Sequence, residues 1–175
     1  MFVGDGKGKT SAALGVTCRM LLLGKKVVWI SWFKEEGWKV AEMRLPERFK
    51  ENLKMYWMGK GFCGGPMDHD TPEGHKKAAS EALSLAKTVL FGKEEGGGIE
   101  VDLLVMDEVV RAVQDGLLKV NDLLELIKRR GTTHIVMTGH KAPKELVEMA
   151  DLVTTMKKVK HPYDKGVLAV QGLDF

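Results

Sequence analysis

Gly4-Asp5-Gly6-Lys7-Gly8-Lys9-Thr10 leaves few folds open to this chain. Its three glycines let the backbone curl so that successive N–H groups can point inward at an anion. The apolar stretch Ser11-Ala12-Ala13-Leu14-Gly15-Val16 follows directly and predicts a helix whose positive end faces the same anion. Lys9 would then reach the outer phosphates of a nucleotide, and the Thr10 hydroxyl would hold a magnesium ion. Gly4, Asp5, Gly6, Lys7, Gly8, Lys9, Thr10 and Ser11 are therefore the candidate ATP-binding residues. The spacing is unusual, because three residues separate Gly4 from Gly8-Lys9-Thr10 where four are usual. Two explanations stand at this point: a chance match, or a variant with its own way of holding a nucleotide.

A loop of this kind needs a strand before it and a helix after it. Met1-Phe2-Val3 supplies the stub of a strand, and residues 11–23 form the helix, stopped by Gly24. Residues 27–33 and 53–58 are apolar enough for buried parallel strands. A glycine-rich segment spans 59–66. Thr71 and Pro72 then mark the cap and first turn of a helix reaching about Leu90. Gly96-Gly97-Gly98 reads as a flexible loop, and residues 101–106 as the next strand. Asn121 is expected to cap a helix ending at Arg130-Gly131, followed by a strand at 135–138 and a helix at 143–150. A short strand at 152–154 and a final strand at 166–175 complete the pattern. Alternating strands and helices predict an α/β fold: a doubly wound, mostly parallel sheet with helices on both faces, P-loop NTPase-like and RecA-type. At 175 residues, with no internal repeat, residues 1–175 are expected to form a single domain.

The strand Val101-Asp102-Leu103-Leu104-Val105-Met106 ends in Asp107-Glu108. Carboxylates at that strand end, facing Thr10, are what a magnesium–nucleotide site needs, so Asp107 and Glu108 are jointly the candidate metal ligands. Thr138-Gly139-His140 closes a later strand, where open α/β sheets place ligand-contacting loops. A net charge of +3 suits an anionic small molecule and gives no sign of an extended nucleic-acid surface. No stretch is long enough to span a bilayer and no signal-peptide pattern is present, which predicts a cytoplasmic protein with no membrane partner. Cys18 and Cys63 form no CxxC unit and read as free thiols in a reducing compartment. Asp68, His69, Asp70 and His75 could suggest a metal cluster, but polar residues before a helix cap are ordinarily solvated.

Three segments of the tail carry a more specific signal. These are Ala150-Asp151-Leu152-Val153-Thr154-Thr155-Met156, then Val159-Lys160-His161-Pro162-Tyr163-Asp164-Lys165-Gly166-Val167, then Gln171-Gly172-Leu173-Asp174-Phe175. Together with the short-spaced loop, Met106-Asp107-Glu108 and Met137-Thr138-Gly139, this pattern resembles the P-loop ATP:corrinoid adenosyltransferases over the whole chain. The resemblance implies transfer of the 5′-deoxyadenosyl group of ATP to cobalt(I) of a corrinoid, with triphosphate released. It implies Lys9, Lys7 and Thr10 as the catalytic set, and magnesium with ATP but no tightly bound prosthetic group. It also implies an electron donor for the cobalt and a homodimer. Met58-Gly59-Lys60-Gly61-Phe62 matches the segment whose aromatic approaches the corrin face. Trp32, Phe33 and Lys34 match a segment lining the same cleft, although Trp32 could equally be core, as Trp29 is expected to be. The resemblance further implies His140, Lys160 and His161 as contacts to the triphosphate or the corrinoid.

Several positions depart from that pattern. Gly64 stands where a second aromatic is usual, Ser31 where Gln is common, His140 where Arg is common and Thr155 where Glu is common. Some members carry an amino-terminal helix that covers the partner subunit's site. None precedes the loop here, so a more open site, or one closed by another element, is expected. Cys63 could ligate cobalt, but a strong axial ligand would oppose reduction, which leaves a free loop thiol. Two other classes compete: a P-loop phosphotransferase or NTPase cleaving at the γ-phosphate, and a nucleotide-dependent nucleic-acid-binding module. The first needs a positioned base that the sequence does not mark, and the second a basic, aromatic-interleaved stripe that a charge of +3 does not provide.

Overall fold

The computed structural model describes residues 1–65, 68–92 and 100–174. The expected loop at Gly96-Gly97-Gly98, together with Pro66 and Phe175, lies outside the described residues. Strand β1 is Phe2–Val3, and the phosphate loop carries it into helix α1, Lys9–Leu22. Strand β2 (Val27–Ser31) leads through a 3₁₀ turn (Ala41–Arg44) and the short α2 (Leu45–Arg48) to β3 (Leu53–Trp57). Helix α3 is Pro72–Phe91, and β4, Leu103–Asp107, passes into α4, Val109–Gln114. Then come α5 (Val120–Lys128), β5 (His134–Met137), α6 (Lys144–Met149), β6 (Thr154–Thr155) and a 3₁₀ turn, Pro162–Lys165.

All strand pairs are parallel. Four strands run in the order β3-β2-β4-β5, in register from Val27↔Leu53 and Val27↔Leu103 to Leu103↔His134. The parallel bridge Phe2↔Thr138 sets β1 beside the end of β5, and β6 pairs on its other side. Side chains alternate across the sheet. Val28, Ile30, Leu104 and Met106 meet α3, α4, α5 and α6 on one face. Val27, Trp29, Leu103 and Val105 meet Ala13 and Leu21 of α1 on the other. Apolar residues on both faces are why β2 and β4 read as unbroken hydrophobic runs. Truncating a fully buried member such as Leu104 to Ala would cost about 2–5 kcal/mol.

Helix ends follow local chemistry. Gly8, at φ +106°, caps α1, and Gly24 at φ +70° lets the chain leave it. The Thr71 hydroxyl accepts from Gly74 N at 3.0 Å, and Pro72 opens α3.

Three expectations are corrected. Residues 166–174 form no strand: 166 and 171–174 are in turns and 167–170 are irregular, with Val167, Leu168 and Val170 exposed. The cap of α5 is Lys119, not Asn121, because the extended backbone ends there. Strand β6 begins at Thr154, where pairing with β1 starts, not at Leu152. The short helices α2 and α4 were not anticipated, being too brief for a periodic pattern. The loops leaving β1, β2, β3, β4 and β5 all emerge at the carboxyl edge of the sheet, where parallel sheets bind ligands.

Candidate active site

Strand β1 delivers the phosphate loop against the chain leaving β6. Gly4 N donates to His140 O at 2.8 Å, and Gly6 N donates to Met156 O at 2.7 Å. Gly4 has φ +113°, and a Cβ there would stand 2.3 Å from Met156 O. Its lack of a side chain is thus required by packing against residue 156 as well as by the turn. These two N–H groups serve the protein itself, so the anion-facing donors belong to the later part of the loop. Lys9 is buried, and its ammonium donates to Gly6 O at 2.9 Å, bent back over the loop.

Asp107 is the hub. It has no solvent exposure and ends β4 directly opposite the start of α1. Its Oδ1 accepts from Thr10 Oγ1 at 3.1 Å and from Thr138 Oγ1 at 2.8 Å. Its Oδ2 accepts from Ser31 Oγ at 3.3 Å and pairs with Lys34 Nζ at 3.1 Å. Each hydroxyl is oriented in turn: Thr138 accepts from Glu108 N at 2.7 Å, and Ser31 accepts from the Trp29 indole at 3.0 Å. Ser31, which stands where the family commonly has Gln, therefore acts as a spacer between a core tryptophan and the carboxylate.

Lys34 also reaches Glu42 Oε1 at 2.6 Å. Burial opposes its charge, but Asp107 and Glu42 outweigh that and raise its pKa above the ordinary lysine value. Lys34 thus sits on the carboxylate side of the cleft. Glu108 adopts left-handed backbone at φ +63°, and its Oε2 is buried without a hydrogen-bond partner. Burial, then the charge of Asp107, push its pKa up to about 7.

These groups floor a cleft of about 460 Å³ lined by Thr10, Ser11, Phe33, Lys34, Glu42, Phe62, Asp107, Glu108 and Asp174, among others. Its aromatic wall is Phe62 stacked on Phe33, with centroids 5.2 Å apart and planes 21° apart, and Trp38 tilts against Phe62 from outside that lining at 5.8 Å. Phe62 remains 37% exposed, an unusual state for a phenyl ring. The loop beside it is stapled by Asp68, which accepts from Gly64 N at 2.6 Å, Asp70 N at 3.2 Å and His75 Nε2 at 2.8 Å. Those bonds, Gly64 N first, hold the Asp68 carboxyl down at about 2. Gly64 has φ +71°, so an aromatic there would be strained in this loop shape. Within the Asp68-to-His75 run, the Asp68 carboxylate is engaged by these three bonds and staples the loop to the start of α3.

Other sequence candidates lie elsewhere. Trp32 is buried, donates to Ala79 O at 3.2 Å and belongs to the core. His140 lines a separate depression with Asp5 and Gln114; burial, then Lys9 and Arg111, lower its pKa. Lys160 and His161 sit on the exposed tail, where the His161 ring accepts from Tyr163 N at 3.2 Å. Lys7 points to the tail and pairs with Asp174, also donating to Leu173 O at 3.0 Å. Sequence reasoning missed Glu42, Trp38, Arg111 and the tail lining. Only the last had a signal, in Gly172-Leu173-Asp174.

The chain's relatives bear on the chemistry. The family model described as ATP:corrinoid adenosyltransferase BtuR/CobO/CobP matches residues 1–175. The chain belongs to this family. It is 32% identical to the corrinoid adenosyltransferase of Pseudomonas aeruginosa, over 98% of this chain and 80% of that one. It is 29% identical to the corrinoid adenosyltransferase of Escherichia coli strain K12 and to corrinoid adenosyltransferase CobA of Salmonella typhimurium, each over 100% of this chain and 84% of the relative. As a member of this adenosyltransferase family, the chain transfers the adenosyl group of ATP to a corrinoid. No described helix is long and apolar enough to cross a membrane.

Proposed function

We propose that ATP lies along the loop from Gly4 to Ser11 with C5′ turned toward the aromatic wall, and that the corrinoid rests against Phe62. The observation that carries this is the 3.1 Å contact of Thr10 with Asp107 on the floor of the same cleft that Phe62 and Phe33 wall. Lys9, Lys7 and the loop N–H groups neutralise the triphosphate as it departs from C5′. The nucleophile is the doubly occupied orbital of cobalt(I) in the corrinoid substrate, so no side-chain base is required. Asp107 fits that view, since its oxygens already accept from Thr10, Thr138 and Ser31 and pair with Lys34. Catalysis is then alignment plus charge neutralisation.

Magnesium suits the donors available: the Thr10 hydroxyl, the Asp107 carboxylate and the unpartnered Oε2 of Glu108 are all hard oxygens. When bound, the ion supplies positive charge against the triphosphate. An electron donor for the corrinoid cobalt, a homodimeric assembly and a cytoplasmic location complete the proposal.

Incubation with ATP, magnesium and chemically reduced cob(I)alamin tests it. Adenosylcobalamin with free triphosphate is expected; ADP or orthophosphate without a cobalt–carbon bond would overturn it. Lys9→Ala should abolish turnover. Phe62→Ala should raise the corrinoid KM while leaving ATP binding near the parent value.

A further inference from the structure

Phe62 poses a mechanical problem. It sits between Gly61 at φ +80° and Gly64 at φ +71°, on a backbone with little intrinsic stiffness, and its ring is more than a third exposed. A flat substrate can be aligned against it only if something fixes the ring. Phe33 stacks on it, Trp38 tilts against it at 5.8 Å, and the nearest of its ring contacts is a charge. The Arg111 guanidinium carbon lies 4.4 Å from the Phe62 centroid and 5.3 Å from that of Phe33. Arg111 Nε is held by Asp115 Oδ2 at 3.2 Å, one turn along α4.

Helix α4 is itself pinned to the nucleotide side. Val110 N donates to Thr138 O at 3.1 Å, and a Cβ on Gly139 would stand 2.6 Å from Arg111 N. Two residues on from Thr138, His140 O receives Gly4 N of the phosphate loop at 2.8 Å. A short run of backbone contacts therefore leads from the phosphate loop, through 138–140 and α4, to the guanidinium over Phe62.

We infer that Arg111 is a positioning residue that fixes the Phe62 ring and keeps the corrinoid face at a set distance from the phosphate loop. This rests on the corrinoid role of Phe62 proposed above. A planar guanidinium suits the task because it stacks on a ring while one edge stays hydrogen-bonded, which an ammonium cannot do. An i,i+4 pair with Asp115 alone would give Arg111 little influence on the site.

The test compares steady-state kinetics with cob(I)alamin for the full chain carrying Arg111→Gln, Arg111→Lys, Phe62→Ala, or Arg111→Gln with Phe62→Ala. KM is read because it is independent of the fraction of folded enzyme. Arg111→Gln should raise the corrinoid KM about tenfold, the size of a partly desolvated cation–π contact. The KM for ATP should stay within about twofold of the parent, because Arg111 makes no contact with the loop side chains in this scheme. Arg111→Lys should recover part of the loss. Beside Phe62→Ala, the Arg111→Gln change should add nothing further. A parent-like corrinoid KM for Arg111→Gln, an undiminished effect in the double variant, or parallel rises in both KM values would each overturn the inference. If Phe62→Ala itself left the corrinoid KM unchanged, the wall assignment would fall first. An Arg111-specific failure is marked instead by an impaired Phe62→Ala beside a normal Arg111→Gln.

Discussion

Glu108 is, among the described residues, the one position other than glycine with left-handed backbone, and it is held there by the bond from its own N–H to Thr138 Oγ1. The twist turns its carboxyl inward beside Asp107. Unfolded, this group ionises near 4.5; folded, burial and then the Asp107 charge carry it to about 7. Between those values the folded chain keeps a proton that the unfolded chain has lost, so stability falls as pH rises through that window and stays low above it. The loss is on the order of 3 kcal/mol. Glu108→Gln is neutral throughout and should remove most of that slope. Urea unfolding at pH 5 and pH 8, without nucleotide or magnesium, should show the variant gaining on the parent at the higher pH. An equal gap at both pH values would mean that Glu108 is not the group responsible.

Elements built from local signals were legible, and elements built from contacts were not. Helix α3 is the clear local case: Thr71 accepts from Gly74 N, Pro72 fills the first turn, and both were visible as a dipeptide. Thr71→Ala should lower stability by about 1 kcal/mol, or several degrees in Tm, with unchanged activity per folded molecule. A normal Tm would show that Asp70 or solvent replaces the cap. Strands β2 and β4 were equally readable, because burial on both faces leaves an unbroken apolar run. Helix α4 was hidden because Val109–Gln114 is only six residues long, too short to show a helical period. The Thr10–Asp107 pairing was legible from two motifs in the right chain order. Lys34 was placed on the cleft by the resemblance of its segment, and its partners Asp107 and Glu42, which come from two other segments, carried no sequence mark. Arg111 over Phe62 had no sequence mark, since an arginine on a helix carries no sign of which ring it meets.

Across the whole molecule, the segment after β6 wraps the phosphate loop from end to end. Met156 O accepts from Gly6 N, Lys158 N donates to Asp5 Oδ1, and Lys7 is held by Leu173 O and Asp174. Asp174 is braced by Val170 N at 2.7 Å, and the Lys7 hydrogen bond keeps its carboxyl below the ordinary range, hence charged at neutral pH. A triphosphate arriving at the loop must therefore compete with a carboxylate for Lys7. Asp174→Ala removes the competitor and a negative charge at the cleft mouth, so the KM for ATP should fall. The ion pair is solvent-exposed, which keeps it weak and limits the fall to a few-fold. Screening sharpens the test: at 0.5 M salt the Debye length is about 4 Å, so the difference between variant and parent should shrink. A rise in KM would mean the opposite architecture, with Asp174 holding Lys7 where the triphosphate needs it. The sign of the KM change separates the two, and Lys7→Ala checks that Asp174 acts through the ammonium: with Lys7 gone, Asp174→Ala should have little further effect, and a large remaining effect would show that the carboxylate acts on ATP by another route.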